Sequence, residues 1–229
     1  MTEEKVTDTK IPENFDIKVL PDDYNQYDLS FKMIVIGDAG VGKSCLSNKA
    51  AKNTFEDFYQ ATVGFEFLTF NARIDNKVVR LQIWDTCGQE IYRSLISSFY
   101  RNSSLAMMVY AIDSKESFIH IDSWLKEVKL QSSPDIKIFL IGNKADLEDK
   151  RQVPFESAKQ YAAENDINFV NETSAKTGLN AQQIFLEAIK ILYIEHLKYL
   201  ASANKPGNPS IPMKINGNKN TKRDKGGCC

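Results

Sequence analysis

The stretch that most constrains this chain is a glycine-containing loop between an apolar run and a helix-forming run. It reads Gly37-Asp38-Ala39-Gly40-Val41-Gly42-Lys43-Ser44 and fits the pattern G-x-x-x-x-G-K-[ST]. An apolar strand is predicted over 31–37 and a helix over about 43–52, which is the context that the pattern requires. Backbone N–H groups in such a loop surround phosphate oxygens, and the helix N-terminus adds partial positive charge. The loop therefore predicts a site for a nucleoside triphosphate, without identifying the base.

Two side chains of the loop have separate tasks. The Lys43 ammonium brings a full charge to the outer phosphates, and the Ser44 hydroxyl is placed for Mg²⁺. The run assigned to nucleotide binding consists of Ala39, Gly40, Val41, Gly42, Lys43, Ser44 and Cys45.

Short β-rich runs alternate with helical stretches from Phe31 onward. Two strands joined at Asp75-Asn76 are predicted first, and apolar runs at 104–113 and 136–144 read as strands covered on both faces. A helix is predicted between those two runs, with His120 facing solvent, and others over about 154–164 and 180–201. A last strand lies near 167–175. This alternation predicts a three-layer α/β fold with a mainly parallel sheet, whose ligands bind at the carboxyl ends of the strands.

The two ends of the chain differ in charge from the balanced middle. Residues 1–28 contain eight acids and three bases, whereas residues 204–229 contain six bases and one acid. We predict a disordered acidic extension over 1–27, one domain over 28–203 and a flexible basic tail over 204–229. A basic tail with a balanced domain argues against nucleic acid as a partner and favours an anionic membrane surface, although a merely solvated tail is an alternative. No apolar run approaches the roughly 20 residues of a membrane span, which predicts a cytosolic protein.

A second motif, "GNKAD", follows the strand at 136–144 and bears on the choice of base. Asp146 offers two acceptors to the N1–H and N2–H donors of guanine, a pair that adenine lacks. Asn143 can brace the site, and the aliphatic stem of Lys144 can cover the ring. The run "ETSAK" ends the next strand and adds Ser174, Ala175 and Lys176, with the Ala175 N–H meeting the guanine carbonyl oxygen. Together these motifs predict GTP rather than ATP.

The set GDAGVGKS, WDTCGQE, NKAD and ETSAK, in this order and spacing, resembles the Ras superfamily of small GTPases, and within it the Rab family. The segments "VGFEF", "RLQIW", "IYRSLI", "FYRNS" and "MVYAID" are similar to those that distinguish Rab proteins. The resemblance covers roughly 28–201 and the last two cysteines. It implies a P-loop NTPase fold with a mostly parallel six-stranded sheet and helices on both faces. It also implies a GTP/GDP switch that hydrolyses GTP slowly and recruits effectors in vesicle traffic.

The resemblance assigns two switch segments. In the first, Thr62 senses Mg²⁺ and the γ-phosphate, and Phe55 lies against the guanine ring. In the second, Asp85 acts on Mg²⁺ through water, the Gly88 N–H reaches the γ-phosphate, and Gln89 orients the attacking water. Gln89 and Lys43 are the predicted catalytic residues, and Ser44, Thr62 and Asp85 the predicted metal ligands. Ala39 and Cys87 depart from the family pattern and leave the intrinsic rate open.

The resemblance also implies partners. Effectors would read an aromatic patch of Phe67, Trp84 and Phe99, although these side chains are alternatively core. An exchange factor, a GTPase-activating protein, an escort protein with its geranylgeranyl transferase, and a GDP-dissociation inhibitor would act on a monomer.

Cys228 and Cys229 end the chain, and consecutive cysteines are poorly spaced for a disulfide. The resemblance implies geranylgeranyl attachment at both thiols, which would place the protein on the cytoplasmic face of an intracellular membrane and in the cytosol between cycles. Unmodified thiols are the alternative. Rival functions are a P-loop kinase or ATPase, a scaffold that binds nucleotide without cleaving it, and a nuclear-transport GTPase.

Overall fold

The computed structural model describes residues 15–56, 62, 64–86 and 99–203. Its strands are β1 (Ile17–Val19), β2 (Leu29–Ile36), β3 (Phe65–Ile74), β4 (Lys77–Thr86), β5 (Leu105–Ala111), β6 (Lys137–Asn143) and β7 (Phe169–Glu172). Its helices are α1 (Lys43–Lys52), α2 (Lys115–Ile119), α3 (Ile121–Gln131), α4 (Phe155–Glu164) and α5 (Gln183–Ala203), with a 3₁₀ turn at Glu148–Lys150.

The strands form one sheet in the order β1-β3-β4-β2-β5-β6-β7. From β4 to β7 every neighbouring pair is parallel, whereas β3 runs antiparallel to β4 and to β1. The hairpin at Asp75-Asn76 is confirmed, since Ile74 pairs with Lys77 at its closed end.

Helices cover both faces of the sheet, which confirms the three layers. On one face α1 and α5 pack on the sheet through Leu46, Ala50, Ile184 and Leu192 among others. On the other face α2, α3 and α4 do so, and Trp124 of α3 is 1% exposed in that core. The interior strand β5 is buried along its whole length, as its continuous apolar run predicts.

In the part of the chain that the structure describes, the sheet has seven strands where six were predicted. The additional strand is β1, which lies within the segment predicted to be disordered. Val19 pairs with Ala72 and Ile17 with Ile74, while the Phe15 ring lies 5.6 Å from that of Tyr193 on α5. Apolar contact with the core and pairing with an otherwise open sheet edge order this segment despite its charge.

The helix predicted between β5 and β6 is divided in two, since α2 and α3 meet at His120. Among the described residues, no helix combines the length and the apolar character that crossing a membrane requires.

Candidate nucleotide-binding site

The phosphate loop joins the end of β2 to the start of α1, as predicted. Gly40 and Gly42 have φ of 77° and 92°, a left-handed conformation that glycine adopts without strain. A Cβ atom at Gly42 would also clash with the Asn143 amide. No side chain caps α1, so its first N–H groups face the loop as anion donors.

Lys43 is 5% exposed, and its position is set by the loop itself. Its Nζ donates to the carbonyl oxygens of Gly37 at 2.8 Å and Asp38 at 2.7 Å. An ammonium held in this way lies at the mouth of the loop, where it can act on bound phosphate.

Three oxygen-bearing side chains that sequence reasoning assigned to Mg²⁺ come together. The Ser44 hydroxyl lies 2.7 Å from that of Thr62 and donates to Oδ2 of Asp85. The Asp85 side chain is completely buried, and its Oδ1 has no hydrogen-bond partner in the described part of the chain. Burial raises the pKa of Asp85 to about 6, although the Ser44 hydrogen bond and the Lys43 charge both lower it. A buried carboxylate beside two hydroxyls fits a hard divalent cation such as Mg²⁺.

The base-recognition motifs at the ends of β6 and β7 also come together. The Ser174 hydroxyl donates to Oδ1 of Asp146 at 2.5 Å and so orients the exposed carboxylate. Lys144 has a φ of 67°, and its Nζ lies 3.5 Å from Oδ1 of Asp113. Lys176 is exposed, whereas Phe55 is half-buried against the core beside α1.

Asn143 connects the two halves of the site. Its Nδ2 donates to the carbonyl oxygen of Val41 in the phosphate loop at 2.9 Å. Its Oδ1 accepts from Thr173 Oγ1 and from the N–H of Ala175, both at 3.2 Å. That N–H, which we expected to meet the base, already has an acceptor here, so its predicted role stays a prediction. One buried amide therefore holds the phosphate loop and both base loops in a single site.

Ala39 lies within the phosphate loop, and Cys45 directly follows the loop in α1. Burial raises the pKa of the Cys45 thiol, with the Asp85 charge adding to the effect. Gly88, Gln89, Cys228 and Cys229 lie outside the described residues, so the assignments for them stay predictions.

The predicted aromatic patch lies at the outer face of the β3–β4 hairpin. Phe67 is 47% exposed, whereas Trp84 and Phe99 are half-buried and also contact the core. The Trp84 ring lies 5.2 Å from Phe67 and 5.1 Å from Phe99. Sequence reasoning missed Phe65, which is 48% exposed and 4.7 Å from Phe99. The signal was present, because residues two apart on a strand share a face.

The His120 side chain, which we predicted to face solvent, is partly exposed and also contacts the phosphate loop, a contact that was not predicted. Its Nδ1 lies 2.6 Å from Oδ2 of Asp38, and the side chain is 44% exposed. The other carboxylate oxygen of Asp38 accepts from the indole N–H of Trp124 at 2.9 Å. In the sequence, His120 lies 82 positions after Asp38, and Trp124 lies 86 positions after it. No local pattern in the sequence reveals such contacts.

Comparison with known proteins places this geometry in context. The model of the Ras family matches residues 32–194. The chain is 41% identical to the Ras-related protein RABA1b of Arabidopsis thaliana over 188 residues, which is 82% of this chain and 87% of that protein. It is 39% identical to the Ras-related protein RABA1c of the same plant over 208 residues, or 90% of this chain and 96% of that protein.

Proposed function

The chain belongs to the Ras family, and from this premise we propose how its residues perform the work of a guanine-nucleotide switch. It is a Rab-type small GTPase, which binds and hydrolyses GTP and acts as a GTP/GDP switch in membrane trafficking. The observation that carries the residue assignments is the link made by Asn143, whose amide joins the phosphate loop to the base loops.

In the phosphate half of the site, the N–H groups of residues 39–45 and the Lys43 ammonium bind the phosphates. Ser44, Thr62 and Asp85 are the residues that would hold Mg²⁺, because their oxygens meet beside Lys43. A Mg²⁺ ion held there would supply positive charge that stabilises the negative charge developing on the outer phosphates. Lys43, which the carbonyl oxygens of Gly37 and Asp38 hold in place, stabilises the same phosphate charge.

In the switch half of the site, Gln89 orients the attacking water and the Gly88 N–H binds the γ-phosphate. Catalysis of this kind is mainly positioning and charge stabilisation, and an arginine from a partner can add about 10³ to 10⁵ in rate. Loss of the γ-phosphate releases Thr62 and Gly88 from a shared anchor, and both segments relax. The aromatic surface of Phe67, Trp84 and Phe99 then leaves its GTP-bound form, and effectors no longer bind it.

The choice of base is tested by Asp146→Asn. An amide presents a donor to the guanine N–H groups, so the variant should bind GDP roughly tenfold to 100-fold more weakly. It should gain affinity for xanthosine diphosphate, which has a carbonyl where guanine has its amino group. Displacement of a fluorescent GDP from the purified protein measures both effects.

Asp149→Asn is the matched control, because Asp149 is an exposed acid three residues further along the chain. It should leave GDP binding within about twofold of the wild-type value. ATP binding as tight as GTP binding in the wild-type protein would refute the assignment of the base site.

We also propose that Cys228 and Cys229 carry geranylgeranyl groups that anchor the protein to the cytoplasmic face of an intracellular membrane. Each buried CH₂ contributes about 0.8 kcal/mol, and two hydrophobic chains hold where one binds only marginally. We propose as further partners an exchange factor, a GTPase-activating protein, an escort protein with its geranylgeranyl transferase, and a GDP-dissociation inhibitor. Mass spectrometry of the C-terminal peptide from native cells should detect two prenyl additions, and bare thiols would overturn this part.

A further inference from the structure

Asp38 is the second residue of the phosphate loop, and both its carboxylate and its carbonyl oxygen are engaged. The carbonyl oxygen accepts from Lys43 Nζ at 2.7 Å. The carboxylate accepts from Trp124 Nε1 at 2.9 Å and lies 2.6 Å from His120 Nδ1. The same residue is therefore fixed by two helical side chains and in turn holds the phosphate-binding lysine.

The donors come from a firmly packed part of the molecule. Trp124 is 1% exposed, and its neighbours on α3 in the same core are Ile121, Leu125 and Val128. The His120 carbonyl oxygen accepts from the backbone N–H groups of Ser123 and Trp124 at 3.0 Å and 3.2 Å. These contacts fix the junction between α2 and α3, from which His120 reaches the loop.

The contacts of Asp38 also determine where its negative charge lies relative to bound phosphate. An acid inside a loop that binds phosphate repels the ligand unless its charge is directed away from it. The His120 and Trp124 side chains hold the Asp38 carboxylate on the side of α3. The Asp38 carbonyl oxygen meanwhile accepts from Lys43. Hydrogen bonds to a charged acceptor are the stronger kind, so the loop is held in its binding conformation before the nucleotide arrives.

We propose that three positioning residues, Asp38, His120 and Trp124, set the rate at which the bound nucleotide leaves. We call these three residues the Asp38 brace. The brace acts through the phosphate loop and Lys43 and does not touch the nucleotide. This inference rests on the proposed nucleotide site, because a brace on an unused loop would have no effect on a ligand.

Trp124→Phe tests the buried arm of the brace. It keeps an aromatic ring in the core, removes the indole donor to Asp38 and shortens the buried side chain. GDP should dissociate roughly fivefold to 30-fold faster in the presence of Mg²⁺, as measured with a fluorescent GDP. Asp38→Asn should raise the rate in a similar way. The double variant should raise it by less than the product of the two single effects, because the variants remove one shared contact.

His120 allows a rescue test, because the side-chain nitrogen of asparagine occupies nearly the place of the histidine Nδ1. His120→Ala should release GDP at least threefold faster than wild type, and His120→Asn should stay within about twofold of wild type. If His120 only filled space, the smaller asparagine side chain would not restore the wild-type rate of GDP release.

Val128→Ala is the matched control, since Val128 is fully buried on α3 and contributes nothing to the brace. It should lower the melting temperature and leave GDP release within about twofold of wild type. If it accelerates release as much as Trp124→Phe does, the effect is general destabilisation and the brace is refuted. Wild-type release rates in Trp124→Phe and His120→Ala would refute it as well. Failure of the wild-type protein to bind GDP would instead refute the nucleotide site.

Discussion

His196 is buried in α5, where the edge of its ring faces Phe31, with ring centroids 6.4 Å apart. Burial lowers the pKa of its imidazole. The unfolded chain therefore takes up a proton near the ordinary value of about 6.5 while the folded chain resists it, so stability falls as the pH drops below that value. The loss can reach at most about 1.4 kcal/mol for each pH unit.

Urea unfolding of the GDP-bound protein at pH 7.5 and pH 5.5 measures this effect. The drop in unfolding free energy should be smaller in His196→Leu than in the wild-type protein. An equal drop in both proteins would show that other groups cause the acid sensitivity.

At the residue scale, the sequence was most informative where chemistry is local. Ser44 and Lys43 follow from one short motif, and the structure brings Ser44 to Thr62 and Asp85 as the family resemblance implied. The Asp38 contacts could not be predicted, because they depend on how α3 packs on the sheet. The motif allows any residue at position 38, so it carries no information about what a carboxylate there would bind.

At the element scale, the N-terminal strap (residues 15–28) connects the two sides of the β3–β4 hairpin. It pairs with β3 as β1, then crosses over the hairpin and enters β2 on the other side of β4. Arg80 of β4 holds the crossing, since its Nη2 donates to the Tyr24 carbonyl oxygen at 2.5 Å and its guanidinium lies 4.5 Å from the centre of the Tyr27 ring.

Arg80→Ala should lower the unfolding free energy by about 1–3 kcal/mol, because a carbonyl oxygen loses a charged donor and a tyrosine ring loses its cation. Arg73→Ala is the matched control, since Arg73 is an exposed arginine on the neighbouring strand. Urea unfolding of both variants makes the comparison. Equal losses of unfolding free energy in the two variants would mean that the contacts between Arg80 and the strap add nothing specific to stability.

The main strands were predictable from continuous apolar runs, and the hairpin from the turn at Asp75-Asn76. The strand β1 was not, because three residues with one half-buried and two exposed side chains give no periodic signal. The break between α2 and α3 was also missed. The apolar positions keep helical spacing across His120, while the hydrogen bonds there regroup around its carbonyl oxygen.

At the scale of the whole molecule, the architecture explains why distant motifs form one site. Parallel strands bring their carboxyl ends to the same edge of the sheet, so the loops after β2, β4, β6 and β7 meet there. The alternation of strands and helices was therefore sufficient to predict the fold class and the edge of the sheet at which the motif loops meet. The orientation of each side chain within it depended on packing between elements.

The protein hydrolyses GTP and thereby switches between two states. Single-turnover hydrolysis of GTP by the loaded protein tests this activity most directly, beside Gln89→Leu. The wild-type protein should release one phosphate per bound GTP, slowly alone and faster with an activating protein, whereas Gln89→Leu should bind GTP and release phosphate at least about tenfold more slowly. If the wild-type protein released no phosphate even with an activating protein present, it would not be a GTP hydrolase.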